Sequence, residues 1–184
     1  MDLIKKYLGE AGDYHSNPLD AWLLQNGWKE THGIALYTHP KYPLMGVDTN
    51  SGNAAVEVFK TPQKVFNDEG ALQGYVKNPK QLEKAVGRGI IVSEMWKAVN
   101  GRKGYKSSHM TGSSISLYAD GYGVHIYFDQ SKLVMTLGGF NVKGQDKNRE
   151  SIYADNYKVS FPYKTSSIRP IVNQMAKWEK EQWT

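Results

Sequence analysis

The stretch SISLYADGYGVHIYFD, residues 114–129, carries the clearest structural signal in the chain. Ser114–Ala119 and Val124–Asp129 alternate apolar and polar residues with the period of a strand. Between them Asp120-Gly121-Tyr122-Gly123 supplies the Asp-Gly pair and the glycines that a tight hairpin turn requires. With Ala119 set opposite Val124, one face collects Ile115, Leu117 and Ala119 with Val124, Ile126 and Phe128, which makes it the core face. The other face shows Ser114, Ser116, Tyr118, His125, Tyr127 and Asp129. Left open, Tyr118 and Tyr127 form a platform on which bases can stack, each worth about 1–3 kcal/mol. Covered by a helix, they become a second apolar layer with their hydroxyls at its edge.

Outward from this hairpin, Lys132–Leu137 reads as a third strand closed by Gly138-Gly139, and Tyr157–Phe161 as a fourth. The polar stretch 141–151 between them reads as a loop. Ser166 or Ser167 caps a final helix in which Ile168, Ile171, Val172, Met175 and Trp178 recur at helical spacing, with Pro170 tolerated in the first turn. Arg102–Ser114 reads as a loop rich in Gly, Ser, Thr and Lys. Toward the N-terminus, Met1–Leu8 has the pattern of a short amphipathic helix. Asn17-Pro18 opens another helix, Leu19, Trp22 and Leu23 give it an apolar stripe, and Asn26-Gly27 ends it. Trp28–Tyr37, Leu44–Asp48 and Ala54–Phe59 read as three strands, and 62–80 as irregular. A helix from Asn78-Pro79 follows, with a break expected at Gly87 and Gly89. The expected class is α+β, as two small packed halves. Residues 1–98 have the order α-β-β-β-α; residues 99–184 form a four-stranded antiparallel sheet with a C-terminal helix. The halves could equally be one continuous domain.

Composition narrows the function. In 184 residues, 40% are apolar and 22% charged, which is globular rather than disordered composition. The absence of cysteine excludes disulfides, thiolate metal sites and cysteine nucleophiles, and fits a reducing compartment. No run of about 18 apolar residues occurs, and the first residues lack a signal-peptide pattern. A cytoplasmic protein with no membrane partner is expected, or one within a virion or host cytoplasm if the source is viral. The compact, cysteine-free, aromatic-rich character fits a phage or bacterial accessory protein. The formal charge of +5 falls entirely in residues 93–184, where 13 Lys/Arg face 8 Asp/Glu; residues 1–92 hold 10 of each. A local positive field attracts phosphate backbones or an acidic partner.

The loop NGRKGYKSS, residues 100–108, places Arg102, Lys103 and Lys106 among glycines, a composition suited to an anion. Its spacing is not that of a P-loop. Of the five histidines, His109 lies in SSHMTGSS, residues 107–114. With the later Val124-His125-Ile126, this stretch resembles the metal-binding signature of LAS-type zinc peptidases of cell walls. That resemblance implies His109 and His125 as ligands; Ser116 stands where the family has its acidic ligand, and Asp120 lies nearby at a different spacing. Two histidines fall short of the three protein ligands a catalytic zinc requires. His109 with Thr111 also gives one of the two H-x-T pairs that two-histidine phosphoesterases carry. Residues 19–98, with Asn26-Gly27-Trp28, His32 and Tyr37-Thr38-His39-Pro40, resemble the small HicA-type RNA-binding fold. That resemblance implies His32 as a ribonuclease residue, with Glu30-Thr31 replacing the family's glycine-serine before it.

The expectation is therefore a non-enzymatic protein without cofactor that contacts nucleic acid, DNA or RNA. Arg102, Lys103 and Lys106 would hold phosphates, and Tyr118, His125 and Tyr127 would stack or hydrogen-bond. One alternative is an assembly protein whose twelve Tyr and five Trp, with Trp178 and Trp183 foremost, serve contacts with other subunits. The other is a hydrolase built on His109 and His125, or on His32.

Overall fold

The computed structural model describes residues 17–31, 36–49, 52–62, 70–145 and 151–182. The helix expected over Met1–Leu8, together with His32 and Trp183, lies outside them. The class is α+β, with two five-stranded antiparallel sheets. Two compact units divide the chain, Met1–Ser93 and Glu94–Thr184. Among the described residues no helix is long and apolar enough to cross a membrane.

The first unit opens with α1 (Pro18–Gln25), whose first turn is capped by Asn17: its Oδ1 accepts from the Leu19 N–H at 3.0 Å. Gly27, at φ 82°, turns the chain out of the helix. A meander follows: β1 (Lys29–Thr31), β2 (Leu36–His39), β3 (Tyr42–Asp48), β4 (Ala54–Val58) and β5 (Ala71–Val76) pair in chain order. Among the described residues the expected α-β-β-β-α order is thus corrected to one helix, five strands and a second helix. The single strand expected over Trp28–Tyr37 is two strands paired with each other, Lys29 opposite Thr38 and Thr31 opposite Leu36. Within the stretch read as irregular, β5 forms against β4, with a bulge that the left-handed Gly74 (φ 142°) accommodates. His39 fastens the end of α1 to this sheet. The Lys41 N–H donates to its Nδ1 at 3.1 Å, so its Nε2–H donates to the Asn26 carbonyl at 3.2 Å.

The second helix, α2 (Pro79–Val99), runs 21 residues without the expected break. The reason lies in what its glycines meet. Gly87 faces open space, whereas a Cβ on Gly89 would press on Met45 Cε and Val58. The missing side chain lets α2 lie close against β3 and β4, and buried Leu82, Ala85, Val86 and Val92 offset the helix-propensity cost. Arg88 Nη2 adds a donor to the Gln73 carbonyl in the β5 bulge at 2.9 Å.

The second unit holds β6 (Ser107–Met110), β7 (Ser114–Ala119), β8 (Tyr122–Asp129), β9 (Val134–Gln145) and β10 (Ser151–Pro162), again paired in chain order. The sheet has five strands where four were expected, because the Ser/His/Met segment read as loop pairs with β7. Gly138-Gly139 does not end β9: with ladder partners on both sides the strand continues to Gln145, and much of the stretch read as a loop is strand. Asp120-Gly121 alone closes the hairpin, Gly121 at φ 72°, so Ala119 faces Tyr122 and Leu117 faces Val124. This register differs from the expected one by two residues; with a side-chain period of two, every side chain keeps its face. A 3-10 turn (Thr165–Ser167) leads into α3 (Ile168–Gln182). Its Ile171, Met175 and Trp178 are buried, as are Ile115, Leu117, Val124, Ile126, Met135 and Leu137 of the sheet's inner face.

Candidate nucleic-acid interface

The outer face of the second sheet is ordered in three rows across the strands. Ser114, Tyr127, Thr136 and Ser160 form the first. His109, Ser116, His125, Gly138 and Lys158 form the second, and Ser107, Tyr118, Gly123 and Phe140 the third. Hydroxyls dominate the first row, where Thr136 and Ser160 meet at 3.3 Å.

Aromatic rings connect these rows. Phe140 stacks on His125 with centroids 4.6 Å apart and planes 21° apart. His125 continues to Tyr127 at 5.6 Å, and Tyr118 meets Phe140 edge-on at 6.0 Å. Glycine at 123 makes this packing possible, since a Cβ there would overlap the Phe140 ring. Phe140 is consequently buried, while Tyr127 at the other end is 50% exposed. Ser116 Oγ and His125 Nδ1 share a hydrogen bond of 2.7 Å, which fixes the imidazole plane under its neighbours. Tyr118 and His125 are half-buried; Ser107, His109, Lys158 and Ser160 are exposed. Tyr118 and Tyr127 are therefore not sealed beneath a helix.

The loop cations do not gather with these rings as a set. Arg102 forms a two-pronged ion pair with Glu179 of α3, Nε to Oε1 at 2.6 Å and Nη2 to Oε2 at 2.7 Å. Tyr105 donates to the same carboxylate at 3.1 Å. Burial, then the neighbouring Tyr122 and Glu179, pushes the Tyr105 hydroxyl far above its ordinary range, so it remains a donor. Lys106 pairs with Asp120 at the hairpin tip, both largely exposed, and Lys103 is exposed. Arg102 is thus committed to the protein itself, Lys103 is exposed, and Lys106, paired with Asp120, is exposed beside β7.

The structure does bring His109 and His125 into one row, on either side of Ser116. They lie two strand spacings apart, on the order of 10 Å between backbones. Among the described residues no three His, Cys, Asp or Glu side chains converge to hold a metal. Asp120 sits beyond the third row and faces Lys106. Of Trp178 and Trp183, the two interface candidates of which only one fits the core stripe of the last helix, Trp178 is 3% exposed and belongs to the core.

Thr136, Phe140, Lys158 and Ser160 are residues of this face that sequence reasoning missed. Phe140 follows the Gly138-Gly139 pair, which in sequence has the look of a strand end. The alternation Thr136, Gly138, Phe140 against Met135, Leu137, Gly139 was the signal that the strand continued. Protein-family models, curated proteins and solved structures offer no match to this chain, so its function is read from its own residues.

Proposed function

We propose that the second unit binds single-stranded nucleic acid on the outer face of its sheet, without catalysing a reaction. The observation that carries this is the continuous run Tyr118–Phe140–His125–Tyr127, ending in a half-exposed tyrosine. Unpaired bases stack on such rings whatever their sequence, and unlike a duplex they can lie flat on them. Exposed Lys158 and the hydroxyls of Ser114, Thr136 and Ser160 lie beside the rings and suit phosphate and sugar oxygens. Exposed Lys103 adds charge in the loop that precedes β6.

Fluorescence anisotropy with labelled single-stranded RNA, single-stranded DNA and duplex 20-mers tests this. Single strands should bind more tightly than the duplex, and binding should weaken linearly in log–log plots against salt. Tyr127→Ala should cost about 1–3 kcal/mol, roughly 5- to 150-fold in Kd, with an unchanged circular dichroism spectrum. Lys158→Glu should weaken binding and flatten the salt dependence. Concentration-dependent self-assembly that oligonucleotides do not alter, with no single-strand binding, would point instead to an assembly protein.

A further inference from the structure

The segment KTSSIR, residues 164–169, holds a set of hydrogen-bond donors that the fold does not use. From Lys164, whose backbone is extended at φ −155° and ψ 156°, the chain enters the 3-10 turn and continues directly into the 15 residues of α3. The first N–H groups of a helix have no acceptor inside it. Here the Ser167 N–H reaches the Lys164 carbonyl at 3.0 Å and the Ile168 N–H reaches the Thr165 carbonyl. The Thr165 and Ser166 N–H groups meet no acceptor among the described residues, and no side chain caps the turn. Ser167 is 4% exposed, yet its hydroxyl also has no partner among the described residues. Its Oγ is not one of the enclosed polar atoms, so it is directed out of the core and into the helix start. A hydroxyl so largely buried and left without a partner is costly to the fold.

Charge at this end runs against the fold as well. Lys164 and Arg169 are exposed and have no ion-pair partner among the described residues, and no acidic residue stands in the first turn. Cations beside a helix N-terminus oppose the macrodipole, and an anion between them reverses that cost. We propose that the start of α3 binds a phosphate monoester. Its three terminal oxygens accept from the Thr165 and Ser166 N–H groups, the Ser167 hydroxyl and the exposed hydroxyls of Thr165 and Ser166, while Lys164 and Arg169 neutralise its charge. A carboxylate, with two oxygens in one plane, would leave part of this donor set unused. The monoester can be a small molecule or the terminal phosphate of a nucleic-acid strand. β10, with Lys158 and Ser160 on the outer face of its sheet, leads directly into the site.

Amide NMR spectra of the full chain, titrated with inorganic phosphate and with phenyl phosphate, read the site directly. Sodium chloride and sodium acetate at matched ionic strength are the controls. A saturable downfield displacement of the Thr165 and Ser166 amide protons by both phosphates, and by neither control, is the expected result. A terminally phosphorylated oligonucleotide that binds roughly tenfold tighter than phenyl phosphate, with its unphosphorylated form inert at these amides, identifies a strand terminus. Equal or weaker binding of that oligonucleotide identifies a small molecule. Thr165→Pro removes an N–H and a hydroxyl but suits a first helical position after an extended residue, so the protein should fold and bind phosphate roughly tenfold more weakly. Ser167→Ala and Arg169→Gln should each weaken binding roughly threefold or more. Ser166→Asp should raise the melting temperature and block phosphate by placing a carboxylate at the same N–H groups. The proposal is overturned if phosphate moves these amides no more than chloride or acetate does, or if Thr165→Pro and Arg169→Gln leave binding unchanged. Tyr127→Ala on the sheet should not alter the inorganic phosphate titration, so failure here is distinguishable from failure of single-strand binding.

Discussion

Arg102 separates a structural role from a ligand-binding one, because sequence and structure assign it differently. Its guanidinium makes two charge-assisted hydrogen bonds to Glu179, and both side chains are about one-fifth exposed, at 21% and 20%. Each such bond contributes about 1.5–3 kcal/mol when the alternative is an unpaired buried charge. Residual exposure lets water recover part of that in the variant, leaving a net loss of about 2–3 kcal/mol for Arg102→Ala. With a urea m-value of about 1–3 kcal/mol/M, the unfolding midpoint should fall by roughly 1–2 M. Arg102→Lys keeps the charge but loses the fork, and should fall in between. A double-mutant cycle with Glu179→Gln should give a coupling of about 1.5 kcal/mol or more. The assay is urea unfolding of the full chain followed by tryptophan fluorescence, for which buried Trp178 beside Glu179 is a local reporter. In the folded Arg102→Ala protein, oligonucleotide affinity should be unchanged. An unaltered midpoint combined with lost oligonucleotide binding would refute this reasoning and return Arg102 to the phosphate site.

The two helical glycines should respond in opposite directions. Gly87→Ala, pointing into open space, should stabilise by about 0.5–1 kcal/mol. Gly89→Val, pressed on Met45 and Val58, should destabilise by about 1–3 kcal/mol; thermal melts of both variants check this. Gly123→Ala should evict the Phe140 ring at about 1–3 kcal/mol, and the His125 ring protons should lose their upfield ring-current displacement in NMR spectra. Asp129 accepts from Ser131 Oγ at 2.7 Å and from the Ser131 and Lys132 N–H groups at 3.1 and 3.0 Å. These bonds lower its carboxyl to about 2. A lowered carboxyl contributes stability that is complete above the ordinary value near 4 and is lost as pH falls toward 2. Urea midpoints compared at pH 5 and pH 2.5 should therefore drop less in Asp129→Asn than in the parent.

The face assignment of the 114–129 hairpin was legible because a two-residue period tolerates an even error in register. Reading the turn as four residues instead of two moved Ala119 from Tyr122 to Val124 yet exchanged no inward side chain for an outward one. The helix boundaries at Asn17 and Asn78 were legible for a local reason, since each cap bond reaches only two or three residues along the chain. What failed depended on distant partners. β5 contains Gly74 and a bulge, and is a strand because β4 supplies the ladder. β9 passes through Gly138-Gly139 because β8 and β10 hold it on both sides. α2 crosses two glycines because one of them meets Met45, some forty residues earlier. On the outer face of the second sheet, the placement of Tyr118, His125 and Tyr127 was legible from alternation alone. The ring that joins Tyr118 to His125 was not, because it comes from β9 and needs a vacancy on β8. The commitment of Arg102 to Glu179 spans 77 positions and leaves no local trace.

That vacancy at Gly123 has a consequence for how the surface meets a ligand. A side chain borrowed from the adjoining strand sinks into the space where its neighbour has none, so the run gains a ring without gaining a ridge. A strand of nucleotides laid along β8 would travel over an even pavement, with Tyr127 as its raised kerb and natural point of first contact.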